Sequence, residues 1–170
     1  MNATAHDELH LNANREFLTF TLGTESYGVD ILKVKEIRGW EKLRELHDTP
    51  SFVKGVLDLR GSIVPIVDLR IRFRLESVDY NPTTVIIVLS VDDSDNMMGV
   101  VVDSVSDVLA VKQEEIKSSP SLGSKINTDY VIGMVSKQDY MVMLLDSEKL
   151  LDTEDFDVLV NSEQVTQAET

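Results

Sequence analysis

The chain has 170 residues, 42% of them hydrophobic, and a formal net charge of -14. That length predicts one domain or two small ones, and the apolar fraction suffices for a packed core. The absence of Cys excludes disulfide staples and thiolate metal sites, no apolar run is long enough to cross a bilayer, and so acidic a chain repels nucleic acid and anionic membrane.

Residues 1–15 read as a mobile tail: they are polar, hold two of the three His and show little apolar periodicity. They also lack the basic and apolar regions of a signal peptide. Order is expected from Phe17–Leu22, where Leu18, Phe20 and Leu22 alternate with Thr19 and Thr21 at the period of a half-buried strand. Gly23 to Ser26 turns the chain into Tyr27–Asp30. Ile31 to Ile37 reads as a short helix ending near Gly39, because Ile31 and Val34 fall on one helical face. Trp40 to Thr49 is a polar connection closed by Pro50.

The stretch from Phe52 to Phe73, FVKGVLDLRGSIVPIVDLRIRF, organises the first half. Gly55–Leu59 and Ile63–Val67 are short runs rich in Val and Ile, joined by a tight Arg60-Gly61 turn, which predicts a hairpin. Pro65 cannot donate to a ladder, so it marks an edge or a bulge. Asp68 stands where a helix N-cap belongs, ahead of a helical turn or two over LRIRF.

Beyond a polar loop, Thr84–Ser90 and Gly99–Val102 read as strands around the turn at Asp92 to Asn96, and Ser104–Val108 follows. Gln113 to Ile126 is a predicted loop. Val131–Val135 and Met141–Leu145 are two more strands, Asp146 repeats the cap-then-helix pattern, and Phe156, Leu159 and Val160 give one face of a last short helix. Charge is uneven: Lys54 to Arg74 carries five Lys/Arg against two Asp, and Asp146 to Thr170 carries eight Asp/Glu against one Lys. The basic strip fits a defined protein contact and the acidic tail fits solubility.

The second half echoes the first. Phe52–Phe73 slides by 78 positions onto Tyr130–Leu151 without a gap, so that Gly55 meets Gly133 and Asp68 meets Asp146. Tyr27–Ile37 slides by 71 onto Met98–Val108, so that Gly28 meets Gly99, Val34 meets Val105, Glu36 meets Asp107 and Ile37 meets Val108. Two copies of a small, mostly antiparallel unit predict two small β-barrels packed together, neither large enough to be comfortable alone. The expected lobes are about 17–73 and 84–151, within an ordered domain of 16–158, with 161–170 as an acidic, polar tail.

The sequence offers little for catalysis. His6, His10 and His47 lie far apart and lack metal-ligand spacing. No nucleophile elbow, phosphate-cradling loop or dinucleotide fingerprint is present, and Asp92, Asp93 and Asp95 lack the Gly and the distant Glu of a calcium loop. No catalytic residue, cofactor or metal is therefore expected. Glu36 and Arg60 are the polar residues left without a role. An ion pair holding the predicted helix to the turn is one reading, and a place on a binding surface is the other.

FLTFTLG, ESYGVDILKVKEIRG, PSFVKGVLDLRGSIVPIVDLRIRF, TTVIIVL, GVVVDSVSDVL and EKLL resemble the CheW family of bacterial chemotaxis coupling proteins, over roughly Glu16 to Leu151. The one marked departure is Asp58, where the family usually has Asn before LRG. The resemblance implies a mostly β fold of two five-stranded SH3-like barrels with a few short helices, and a cytoplasmic, stand-alone adaptor without catalysis. It also implies two partners: the cytoplasmic tip of chemoreceptors and the regulatory domain of the histidine kinase CheA, at receptor arrays that the adaptor helps to assemble. Carried over by position, the receptor-facing groove comprises Val34, Glu36, Ile37, Gly55, Arg60, Val85 and Val108, and an apolar groove suits an amphipathic helical tip. Kinase contacts fall on other exposed faces, with no residues assigned. The alternatives are an SH3-like peptide-binding module outside chemotaxis, or a ligand sensor with a hollow barrel.

Overall fold

The computed structural model describes residues 14–75, 78–91, 96–118 and 130–151. The expected turn from Asp92 to Asn96, apart from Asn96, the part of the expected loop from 119 to 126, the last helix around Phe156, residues 1–13 of the expected N-terminal tail and everything from residue 152 onwards lie outside the described residues. Among the described residues there are ten strands: β1 (Arg15–Leu22), β2 (Glu25–Asp30), β3 (Val34–Gly39), β4 (Val53–Leu59), β5 (Ser62–Asp68), β6 (Val85–Ser90), β7 (Met97–Val102), β8 (Ser104–Val111), β9 (Val131–Lys137) and β10 (Tyr140–Leu145). Two short helices, α1 (Leu69–Arg72) and α2 (Ser147–Leu151), follow β5 and β10.

The strands form two five-stranded sheets, ordered β8-β1-β2-β10-β9 and β3-β6-β7-β5-β4. Each curls around its own small core. Phe17, Val111, Val135, Val142 and Leu144 fill the first barrel, and Leu57, Leu59, Val64, Ile66, Ile86, Val88 and Val101 fill the second. A third, larger cluster lies between the barrels and takes Leu18, Phe20, Tyr27 and Leu145 from one sheet and Val67, Ile87, Leu89 and Val100 from the other. The strand Val85–Ser90 is apolar from Val85 to Leu89 because successive side chains feed two different cores.

The duplication is visible in the ladders. Exchanging each strand for its counterpart in the other half, β1 with β6 through β5 with β10, turns one sheet order into the other. The register follows: Ile66 pairs with Gly99 in parallel β5–β7, and Leu144 pairs with Gly28 in parallel β10–β2, at the offsets read from the sequence. Gly55 and Gly133 match too. A Cβ on either would strike a crossing backbone, at the carbonyl of Arg44 or, 2.6 Å away, of Lys117, and those carbonyls belong to the equivalent bridges Arg44–Val56 and Lys117–Met134.

The expected lobes of 17–73 and 84–151 are corrected, because each sheet mixes strands from both halves. The connections explain why. Asp103 alone separates β7 from β8, and one residue cannot reverse a chain into a hairpin. β8 must therefore leave the sheet of β7 and join the other. β2 and β3 are separated by a 3₁₀ turn, Ile31–Lys33, capped by Asp30, whose side chain accepts from Leu32 N. This single turn replaces the expected helix over Ile31 to Ile37, and Val34 to Gly39 run as strand β3. Pro65 lies in an interior strand, opposite Val56 on the β4 side and just before the β7 ladder begins at Ile66. It thus occupies the one local edge that its missing N–H tolerates.

Candidate functional site

The exposed apolar residues of interest continue the inter-barrel core outward. In the β3–β6 ladder Val34 pairs with Leu89 and Ile37 with Ile87, and residues paired across an antiparallel ladder point to the same face. Ile87 and Leu89 belong to the inter-barrel core, against which Val34 and Val85 pack half-buried. Ile37 shares that face and is 46% exposed. On the other barrel, Val108 pairs with Leu18, also of the inter-barrel core, and is 50% exposed. Val34, Ile37, Val85 and Val108 are thus brought to faces of one core.

Glu36, Gly55 and Arg60 do not join that face. Glu36 is exposed on the edge strand β3 but pairs with Val88, which points into the second barrel. Gly55 is buried beneath the Arg44 carbonyl, at a φ of 142°, so its part is to let two backbones cross. Arg60 is exposed at the tip of the β4–β5 hairpin. The expected ion pair between Glu36 and Arg60 is corrected: among the described residues none joins them. Glu36 is level with Ile66 through Val88 and Gly99, whereas Arg60 sits at the hairpin tip beyond Ser62, on the far side of the sheet order.

The Arg60-Gly61 turn has φ of 52° and 89°, the left-handed pair that fits the twist of a two-residue hairpin. Asp58 stabilises it, its Oδ1 accepting from Gly61 N at 2.9 Å. A carboxylate oxygen does here what an amide oxygen would do, so the departure from Asn leaves the turn intact.

Sequence reasoning missed a buried charge cluster behind this hairpin. Asp68 caps α1 through Arg70 N at 3.0 Å, as expected. It also holds the Arg70 guanidinium in a fork, Nε to Oδ1 at 3.0 Å and Nη2 to Oδ2 at 2.9 Å. Arg70 Nη1 donates to Asp103 Oδ1 at 2.8 Å and to the Asp79 carbonyl, and the Tyr80 hydroxyl donates to Asp68 at 2.7 Å. Arg70 and Asp68 are almost fully buried. Burial alone would lower the Arg70 pKa, but its hydrogen bonds to Asp68 and Asp103 outweigh that and raise it. The Tyr80 pKa is raised by burial and by its bond to Asp68, so it stays a donor. Tyr80 also packs against Trp40, the rings tilted by 30° with centroids 4.3 Å apart. The available signal was a cation two residues after an N-cap, in a run otherwise apolar enough to be buried.

Among the described residues no group of three or more His, Cys, Asp or Glu is placed to hold a metal. No helix among them is long and apolar enough to cross a membrane.

The family model of the CheW-like domain matches residues 16–155. The chain belongs to the CheW family. It is 46% identical over 147 residues to the chemotaxis protein CheW of Klebsiella aerogenes, covering 86% of this chain and 87% of that one. It is 33% identical over 150 residues to the chemotaxis protein CheW of Treponema pallidum, with 86% and 87% covered. The crystal structure of the scaffolding protein TtCheW from Thermoanaerobacter tengcongensis superposes with a TM-score of 0.75 at 27% identity, covering 84% of this chain and 95% of that one. The fold is accordingly that of two SH3-like barrels, and the chain is a chemotaxis protein of the CheW type.

Proposed function

We infer that this CheW-family chain is a non-catalytic adaptor of the bacterial cytoplasm, coupling chemoreceptor signalling tips to the histidine kinase CheA and helping to assemble receptor arrays. The observation that carries the receptor half is the pair of half-exposed side chains Ile37 and Val108, set on two strands at the margin of one apolar core. Val34 and Val85 supply the floor of this face. An amphipathic helix laid along it would cover Ile37 and Val108, each worth about 1 kcal/mol for the half of its surface still in water. Glu36 and Arg60 stand exposed on the same barrel, where charges steer a partner more than they hold it. The kinase contact belongs to other exposed surfaces. The filled barrel interiors speak against a ligand sensor.

A reconstituted mixture of receptor, kinase and this chain tests the reading. The native chain should raise receptor control of kinase activity while turning over no ATP itself. Ile37→Asp and Val108→Asp should each weaken receptor binding about tenfold or more, since a buried carboxylate costs more than the lost apolar contact. Unchanged receptor control in both variants would refute the assignment.

A further inference from the structure

The chain passes between the two barrels at the Ile31–Lys33 turn and at Asp103. These crossovers are equivalent in the duplicated fold, and each is tied by an ion pair to the helix that follows the fifth strand of a half. At one, Arg70 of α1 bonds Asp103 at 2.8 Å. At the other, Glu148 of α2 accepts from Lys33 Nζ at 2.7 Å. Arg70 and Glu148 are counterparts at the offset of 78, whereas Asp103 and Lys33 are one residue out of register at the offset of 71, so the two ties share the helix position, reach adjacent crossover positions and have opposite polarity.

Their environments differ. Arg70 is 1% exposed, its partner Asp68 is fully buried, and Asp103 accepts a further bond from Gly23 N. The Asp103 amide also donates to the Thr21 carbonyl of the other barrel. Asp103 keeps 33% of its side chain in water, but Arg70 is buried and the tie is cross-braced, so salt screens it less than a pair exposed at both ends. Lys33 and Glu148 have 28% and 50% of their side chains in water, where an ion pair is weak and screened. The two ties sit at the roots of different strands: Lys33 immediately precedes β3, with Val34, Glu36 and Ile37, and Asp103 immediately precedes β8, with Val108.

We propose that the Lys33–Glu148 pair is a salt-sensitive latch that positions β3, while the Arg70–Asp103 pin fixes β8. β3 is then the adjustable wall of the partner-binding face and β8 the rigid one. The positioning role rests on the reading of that face as the receptor contact.

Amide hydrogen exchange on the full chain, with a receptor-binding titration, tests it. Glu148→Gln should speed exchange of the β3 amides bonded to β6 by roughly two- to fivefold and leave β8 unchanged. Raising salt from about 0.01 M to about 1 M, where the Debye length falls from roughly 30 Å to 3 Å, should do the same to the native chain and add less to the variant. Lys33→Glu combined with Glu148→Lys should restore protection, and receptor affinity should fall and recover in parallel. Exchange unchanged by Glu148→Gln, or raised equally at β3 and β8, would overturn the proposal, as would a loosened β3 with unaltered receptor affinity. Ile37→Asp in the same titration keeps the two readings apart. Its defect persists if only the latch is wrong and vanishes if the face itself is misassigned.

Discussion

Arg60 holds a conformation that suits its turn better than its side chain. Its φ of 52° lies in the left-handed region, which costs a residue with a Cβ roughly 1–2 kcal/mol unless a short polar side chain relieves it. Gln138 occupies the equivalent turn of the other barrel at a φ of 45°, so the geometry belongs to the fold and the choice of Arg does not. Arg60→Asn should therefore raise stability, by up to about 1 kcal/mol in urea titration, while lowering receptor control if the guanidinium meets the partner. A destabilised Arg60→Asn protein would show that the long side chain supports the hairpin by packing. Arg70 is the opposite case. Arg70→Met would leave Asp68 charged and buried with only the Arg70 amide and the Tyr80 hydroxyl as donors, a loss of about 3–5 kcal/mol. Arg70→Lys should recover only part of it, because an ammonium cannot fill the fork. A loss under about 1 kcal/mol in either urea titration would mean that the cluster relaxes or admits water.

At the level of elements, most strands were legible in the sequence and the crossovers were not. Gly55–Leu59, Ile63–Val67 and Met141–Leu145 fall inside β4, β5 and β10, because β-branched runs bounded by turn residues admit few other structures. The stretch Ile31 to Ile37 misled because its spacing of apolar residues also fits a helix, and because the bulge between Val34 and Glu36 breaks the alternation that a strand with one wet face otherwise keeps. Ile37 and Val34 lie on one face only through the register shift between Val34 and Glu36, and a bulge is invisible to a period of two. A 3₁₀ turn at Gln113–Glu115 leads toward the cover of edge strand β9. Glu115 accepts from the Lys112 amide and from Lys137 of β9, each at 2.9 Å, and these bonds, the backbone one first, hold its pKa below the ordinary glutamate value of 4.5. A carboxylate depressed in the folded state stabilises above its unfolded pKa and loses that contribution as pH falls through the folded value. The difference in melting temperature between the native chain and Glu115→Gln should thus be full above pH 4.5 and close below it. A difference that grows on acidification would reverse the assignment.

For the whole molecule, the sequence carried the duplication but hid the exchange of strands. Similar halves are compatible with two lobes in series and with two lobes that trade their first two strands, and only the one-residue link at Asp103 distinguishes them. The exchange has a direct consequence for folding. The first half alone contains the hairpins β1–β2 and β4–β5, yet β1 also needs β8, β2 needs β10, β3 needs β6 and β5 needs β7. The inter-barrel core likewise draws Leu18, Tyr27 and Phe73 from one half and Ile87, Val100 and Leu145 from the other. Isolated hairpins are at best marginal in water, so a chain severed between residues 76 and 77 should yield two fragments with little ordered structure. Mixed in equal amounts, they should assemble into one complex with the strand content and dispersed amide spectrum of the intact protein. Lobes in series would behave differently, each fragment showing a folded spectrum alone and gaining nothing on mixing. Either outcome can be read from circular dichroism and nitrogen–proton correlation spectra of the separate and combined fragments, and a folded first half would overturn the exchanged architecture.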